Sequence, residues 1–135
     1  MEKTNQSQTP REMSLAKKQI YIVDDDESVR RALSLLLKTY EFAVTTFVSA
    51  EAFLGLVPKS EPGCLILDIH MPGLDGWKVM DHLAKSGSTR PVIIITAEKS
   101  EGLHEKALKA GAVGCLRKPF DDQELINLIN KAFEK

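Results

Sequence analysis

Short apolar runs alternate along the chain with segments whose apolar residues recur every three or four positions. The runs lie at 19–23, 43–47, 64–69, 92–96 and 113–116. Runs of this length, rich in β-branched residues, predict strands, and the three-to-four spacing predicts amphipathic helices. In residues 27–40, for example, Val29, Leu33 and Leu37 fall on one helical face. The pattern therefore predicts five β–α units.

Capping residues indicate where the later helices begin and end. Ser49 is placed to cap the second helix, and the third runs from about residue 76 to near Gly87. The fourth covers about 101–110 and ends before Gly111. Asp121 begins the fifth, with an acidic residue three positions later at the capping-box spacing.

The third and fourth strands are nearly continuous Ile, Leu and Val, which is typical of strands buried on both faces of a parallel sheet. Five such units predict an α/β fold with a doubly wound parallel sheet between two helical layers. Residues 1–17 are polar and lack apolar periodicity, so we expect a flexible N-terminal tail. The folded domain is expected to cover 18–135.

The composition argues against nucleic-acid and membrane partners and favours a cytoplasmic location. The formal net charge of −1 gives no reason to expect direct binding to nucleic acid or to a membrane surface. The longest apolar runs, such as 92–95, are far too short to span a bilayer. Cys64 and Cys115 lie in apolar surroundings and form no CxxC pair, which favours reduced cysteines in a cytoplasmic protein.

Polar residues with related chemistry follow four of the five predicted strands. The first strand is followed by Asp24 and Asp25, the third ends at Asp68, the fourth ends at Thr96, and Lys118 follows the fifth. The carboxyl ends of parallel strands meet at one edge of the sheet, where such folds place their ligands. Clustered carboxylates suit Mg²⁺, and an aspartate beside the metal can accept a phosphoryl group.

Each of these residues alone has a simpler explanation. An acidic run after a strand can cap the next helix, and Asp26 is interpreted as such a cap. Asp68 and Thr96 suit turns or caps, and Lys118 suits an exposed position before a proline. Their occurrence at four strand ends in this order favours one shared site.

Four segments carry a resemblance to a known family: VDDDES, LILDIHMPGLDGW, PVIIITAE and AGAVGCLRKPFD. Over residues 19–135 the chain resembles the receiver domain of bacterial two-component response regulators. It is most similar to receivers of nitrogen-fixation-type regulators that carry a helix-turn-helix output domain. The resemblance implies a flavodoxin-like three-layer sandwich with strand order 2-1-3-4-5. It also implies a signalling domain, not a classical enzyme, whose chemistry is limited to self-phosphorylation and slow self-dephosphorylation.

The resemblance also assigns roles to residues. It implies that Asp68 is the phospho-acceptor, assisted by Thr96 and Lys118, and that the Lys118–Pro119 peptide bond is cis. The Mg²⁺ ligands it implies are Asp24, Asp25, Asp68 and the main-chain carbonyl of His70.

The switch position departs from the family pattern. Thr96 matches the family's moving hydroxyl, but the residue three positions before the lysine, usually Tyr or Phe, is Cys115. We therefore expect phospho-acceptance with a smaller conformational change. His70 and Glu98 are candidates for tuning dephosphorylation, although His70 also fits a passive exposed histidine.

The implied partner is a sensor histidine kinase. The face formed by the fourth helix, fifth strand and fifth helix, within 101–133, is a candidate surface for a homodimer or an output partner. No output domain follows in this chain, so a single-domain regulator and a piece of a larger one both remain open.

Three alternative functions fit the sequence less well than a receiver domain. Phosphatases that use an aspartyl-phosphate commonly carry a second aspartate where this chain has His70, together with an inserted cap domain. A flavin or nucleotide binder needs a Gly- or Ser/Thr-rich phosphate loop where this chain has DDDES. A phosphate-independent interaction module would not need Asp68, Thr96 and Lys118 to be intact.

Overall fold

The computed structural model describes residues 17–134, and a single five-stranded parallel sheet forms its centre. The strands are β1 (Gln19–Val23), β2 (Ala43–Phe47), β3 (Cys64–Asp68), β4 (Val92–Thr96) and β5 (Gly114–Arg117). Their order is β2-β1-β3-β4-β5, so the predicted doubly wound fold is confirmed. The predicted N-terminal tail, apart from residue 17, lies outside the described residues.

Helices cover both faces of the sheet. They are α1 (Glu27–Thr39), α2 (Ala50–Leu56), α3 (Gly76–Lys85), α4 (Leu103–Lys109) and α5 (Asp122–Phe133). One buried cluster joins α1 and α5 to Ile20, Ile22, Ile66 and alternate residues of the other strands. A second cluster joins α2, α3 and α4 to the opposite face. Alternate residues of β3 and β4 enter the two clusters, which explains why both strands are apolar throughout.

Side-chain caps fix the helix starts nearest the carboxyl edge of the sheet. Asp26 accepts a hydrogen bond from the backbone of Ser28, Ser49 caps α2, and Asp121 forms a capping box at α5. The start of α4 differs from the prediction: the helix begins at Leu103, not near 101. Its N-cap is Gly102, with φ of 78°, which supplies no side-chain hydrogen bond to extend the helix.

No helix between residues 17 and 134 combines the length and the apolar character needed to cross a membrane.

Candidate functional site

The carboxyl edge of the sheet gathers the polar residues that follow its strands. Asp24 and Asp25 follow β1, Asp68 ends β3, Thr96 ends β4, and Lys118 follows β5. β3 lies between β1 and β4, and β5 is at the edge next to β4. The strand order therefore places Asp68 centrally among these groups.

Three carboxylates form what we call the acidic cluster: Asp24, Asp25 and Asp68. Each offers an oxygen within 4.8 Å of the others. Asp24 is fully buried and Asp68 is 5% exposed, whereas Asp25 is exposed. Backbone groups hold the two buried carboxylates in place: the Asp26 N–H donates to Asp24 Oδ1 (2.9 Å) and the His70 N–H donates to Asp68 Oδ1 (3.1 Å).

Lys118 supplies positive charge to the acidic cluster. Its Nζ lies 3.0 Å from Asp24 Oδ2 and 3.6 Å from Asp68 Oδ2. Its backbone N–H donates to the Thr96 carbonyl (2.6 Å), and its peptide bond to Pro119 is cis. The lysine thus bridges the ends of β1 and β3 from the far edge of the sheet.

The ionised form of Asp68 is disfavoured in this setting. Burial raises the pKa of Asp68 above its ordinary value of 3.8, and the charges of Asp24 and Asp25 raise it further. The His70 N–H and Lys118 act in the opposite direction. A carboxylate that retains a net cost of ionisation is one that a bound cation would stabilise strongly.

The donor set fits a hard divalent cation. With all groups ionised, the acidic cluster and Lys118 leave a formal excess of two negative charges. Converging carboxylate oxygens are the ligands that Mg²⁺ prefers in proteins, and an exposed member such as Asp25 leaves the cluster open to water and phosphate oxygens.

Glu98 connects the predicted tuning pair with Thr96. His70 Nε2 lies 2.6 Å from Glu98 Oε1, and the Glu98 N–H donates to the buried Thr96 hydroxyl (3.0 Å). Hydrogen bonds from Ser100 and His70 lower the pKa of Glu98. His70 and Glu98 therefore form a pair beside the acidic cluster, which sequence spacing alone did not establish.

Cys115 occupies the predicted switch position in β5. It pairs with Ile94 of β4 and packs, half-buried, against the core on the α2–α3–α4 side. Burial raises the pKa of its thiol, so the thiolate form is disfavoured.

Three residues that the sequence did not single out contact the site or the loop between β3 and α3. Arg30 donates to the Asp24 carbonyl (2.8 Å), and Arg117 Nε donates to the Glu98 carbonyl (3.1 Å). Glu51 of α2 accepts from the Leu74 N–H in the loop between β3 and α3 (3.2 Å). Arg117 adjoins Lys118 at a strand end, which was a usable signal. Arg30 and Glu51 lie on helices and gave none.

The sequence also matches a known protein family, in agreement with this geometry. The model described as "Response regulator receiver domain" matches residues 20–130. The chain belongs to the response regulator receiver family. Receiver domains are signalling domains, not classical enzymes; in general they use Mg²⁺ and are phosphorylated by histidine kinases.

Curated relatives of this receiver are regulators of two-component systems. The chain is 39% identical over 116 residues to the transcriptional regulatory protein FixJ of Bradyrhizobium diazoefficiens, covering 86% of this chain and 57% of FixJ. It is 41% identical over 124 residues to the response regulator protein TodT of Pseudomonas putida strain F1, covering 92% of this chain and 55% of TodT. The receiver thus spans somewhat more than half the length of these relatives.

Solved structures show the same fold. The structure titled "Crystal structure of FixJ-N" superposes with a TM-score of 0.79 at 37% identity, over 86% of this chain and 93% of that one. The response regulator StyR gives a TM-score of 0.82 at 38% identity, over 88% of this chain and 60% of that one.

Proposed function

We propose that this receiver accepts a phosphoryl group on Asp68 from a partner histidine kinase in a Mg²⁺-dependent reaction. The observation that carries the proposal is the setting of Asp68. It is a nearly buried carboxylate with two further carboxylates within 4.8 Å and Lys118 Nζ at 3.6 Å. A carboxylate held between a cation-binding cluster and an ammonium group is arranged to act as a nucleophile toward phosphorus.

In the proposed transfer, an Asp68 oxygen forms the new O–P bond while the N–P bond of the phosphohistidine donor breaks. The electron pair of that bond remains on the imidazole nitrogen. Asp24, Asp25, Asp68 and the main-chain carbonyl of His70 would hold the Mg²⁺, which supplies positive charge beside the phosphoryl oxygens.

Lys118 and Thr96 bind the phosphoryl group after its transfer to Asp68. Lys118 bonds Asp24 and lies near Asp68, so its ammonium is placed to pair with a phosphoryl oxygen at Asp68. The buried Thr96 hydroxyl ends the neighbouring strand and donates to that group after transfer, which makes Thr96 the switch residue. Because Cys115 has no aromatic ring, phosphorylation causes a smaller conformational change than in receivers with Tyr or Phe at this position.

His70 and Glu98 control the lifetime of the phosphorylated state. Their 2.6 Å contact lies beside the acidic cluster, where it restricts the approach of water to a phosphoryl group on Asp68. Removing either side chain should therefore change the hydrolysis rate without abolishing phosphorylation.

The remaining features of the proposal concern context. The receiver domain occupies 18–135, works in the cytoplasm and makes no direct contact with nucleic acid. Its α4–β5–α5 face binds a second copy or an output partner when Asp68 is phosphorylated.

The test is intact mass spectrometry after incubation with acetyl phosphate and Mg²⁺. We expect the wild-type chain to gain one labile phosphoryl group. The gain should be absent with EDTA and in Asp68→Asn, and present in the matched surface variant Asp81→Asn. Asp81 is exposed, and its salt-bridge partner within the described part of the chain is Lys85, one helical turn away. If Asp68→Asn is labelled as well as the wild type, Asp68 is not the acceptor. If nothing is labelled, a phosphate-independent interaction module is the better description.

A further inference from the structure

A continuous series of hydrogen bonds leads from Asp68 to the edge strand of the sheet. The His70 N–H donates to Asp68 Oδ1, and the His70 ring contacts the Glu98 carboxylate. The Glu98 N–H donates to the Thr96 hydroxyl, and its carbonyl accepts from Arg117 Nε (3.1 Å). Glu98 therefore joins two residues of the site to a residue of β5.

Arg117 is the last residue of β5, and its side chain is exposed. Residues two apart in a strand point to the same face, so Arg117 follows Cys115 along one side of β5. Burial raises the pKa of Cys115, and the charges of Arg117, which lowers it, and of Glu98, which raises it, have smaller effects. The sequence of β5, GCLR, contains no aromatic ring that could connect it to β4.

We propose that Arg117 is a positioning residue that transmits phosphorylation of Asp68 through Glu98 to β5 and the adjoining helices. The inference rests on the proposed function, because it requires a chemical change at Asp68. An acyl phosphate replaces the carboxylate that accepts the His70 N–H and brings new oxygens toward Thr96. Both neighbours of Glu98 then face altered partners, and the guanidinium transfers a movement of the Glu98 carbonyl to β5.

A simpler role for Arg117 makes a different prediction. If its hydrogen bond only anchors the loop between β4 and α4, the bond is equally strong in both states and cannot shift the equilibrium between them. Replacing Arg117 would then lower stability and leave the response to phosphorylation unchanged. The response is therefore the quantity that separates the two roles.

The experiment compares amide NMR spectra of the full chain with Mg²⁺, with and without beryllium fluoride as the aspartyl-phosphate mimic. Local amides (69–70 and 97–98) report the site, and distal amides (114–117 and 122–133) report β5 and α5. Arg117→Gln removes the guanidinium, and Arg117→Lys keeps the charge but has no N–H at the Nε position. Arg31→Gln is the matched control, since among residues 17–134 the salt bridge of Arg31 is an exposed contact of 3.8 Å with Glu27.

We expect both Arg117 variants to keep the local response and to show a weaker distal one. The ratio of switched to unswitched protein should fall roughly fivefold, the factor that corresponds to about 1 kcal/mol for one hydrogen bond. Arg31→Gln should respond like the wild type. A full distal response in either Arg117 variant overturns the inference alone. No response of either set in the wild type overturns the proposed function and the inference together.

Discussion

Replacing Asp68 with asparagine should stabilise the metal-free protein. The asparagine keeps an oxygen that can accept the His70 N–H, and it removes a charge that is nearly buried beside two other carboxylates. Removing one of several like charges relieves repulsion that the folded chain otherwise retains. The substitution that we expect to abolish phosphorylation is therefore also expected to raise the melting temperature.

The magnitude follows from the distances around Asp68. Two unit charges 4.8 Å apart repel by roughly 3.5 kcal/mol at an effective dielectric constant of about 20. Lys118 at 3.6 Å attracts by roughly 4.6 kcal/mol on the same basis. Repulsion from Asp24 and Asp25 together exceeds this attraction by roughly 2 kcal/mol. Screening at the exposed Asp25 lowers the figure, so we expect a stabilisation of about 1–2 kcal/mol.

Thermal unfolding in EDTA measures this difference. For a domain of this size, about 1–2 kcal/mol corresponds to a rise in Tm of roughly 4–8 °C. The pH dependence has a definite sign because folding raises the pKa of Asp68. Below the ordinary value of 3.8 the carboxyl is protonated in both states, and wild type and variant should be similar. As pH rises through the raised folded-state pKa, the wild type loses stability relative to the variant.

Two controls define what would refute this reasoning. Asp81→Asn removes an exposed carboxylate paired with Lys85 at 3.0 Å and should change stability by less than about 0.5 kcal/mol. Adding Mg²⁺ should raise the Tm of the wild type more than that of Asp68→Asn. If Asp68→Asn fails to raise the Tm in EDTA, or if its advantage is as large at low pH as at neutral pH, the electrostatic argument is wrong.

Three further predictions concern the surroundings of the site. In a fluorescence titration, Glu51→Ala should bind Mg²⁺ severalfold more weakly because it releases the loop between β3 and α3, whereas Glu51→Gln keeps the acceptor oxygen and should bind like the wild type. Equal losses of affinity in the two variants would show that the charge of Glu51 is what matters. Gly76→Ala should lower the free energy of unfolding by about 1–3 kcal/mol, measured with denaturant, because the new Cβ would lie 2.5 Å from the Cα of Ile69, whereas Gly55→Ala, with nothing within 4 Å of its Cβ, should be neutral or stabilising. Similar effects of the two substitutions would contradict the close packing at Gly76. Burial raises the pKa of Cys64 to about 12 and also raises the pKa of the half-buried Cys115, so a thiol reagent at pH 8 should label Cys115 slowly and Cys64 only after unfolding. Labelling of Cys64 in the native protein would contradict its burial.

The local part of the fold could be read from the chain because it depends on short-range patterns. Each of the five predicted strands overlaps its observed counterpart, and the Asp26 cap follows from its position before an amphipathic segment. The start of α4 was predicted two residues early, since the polar residues before Gly102 are compatible with a helix, whereas Gly102 itself adopts a positive φ that lies outside the helical region.

The sequence also predicted which side chains lie together at the carboxyl edge of the sheet. Parallel strands bring their carboxyl ends to one edge, and the charged residues follow those ends. The contacts among them were not predicted. Lys118 reaches Asp24 across 94 positions of sequence, and Arg117 reaches Glu98 across 19. Such partners are set by strand order and side-chain packing, which couple distant segments and leave no periodic trace in the sequence. The sequence by itself therefore determined which groups meet. Only the tertiary structure decided which carboxylates are buried, which hydrogen bonds hold them, and which residue connects them to the edge of the sheet.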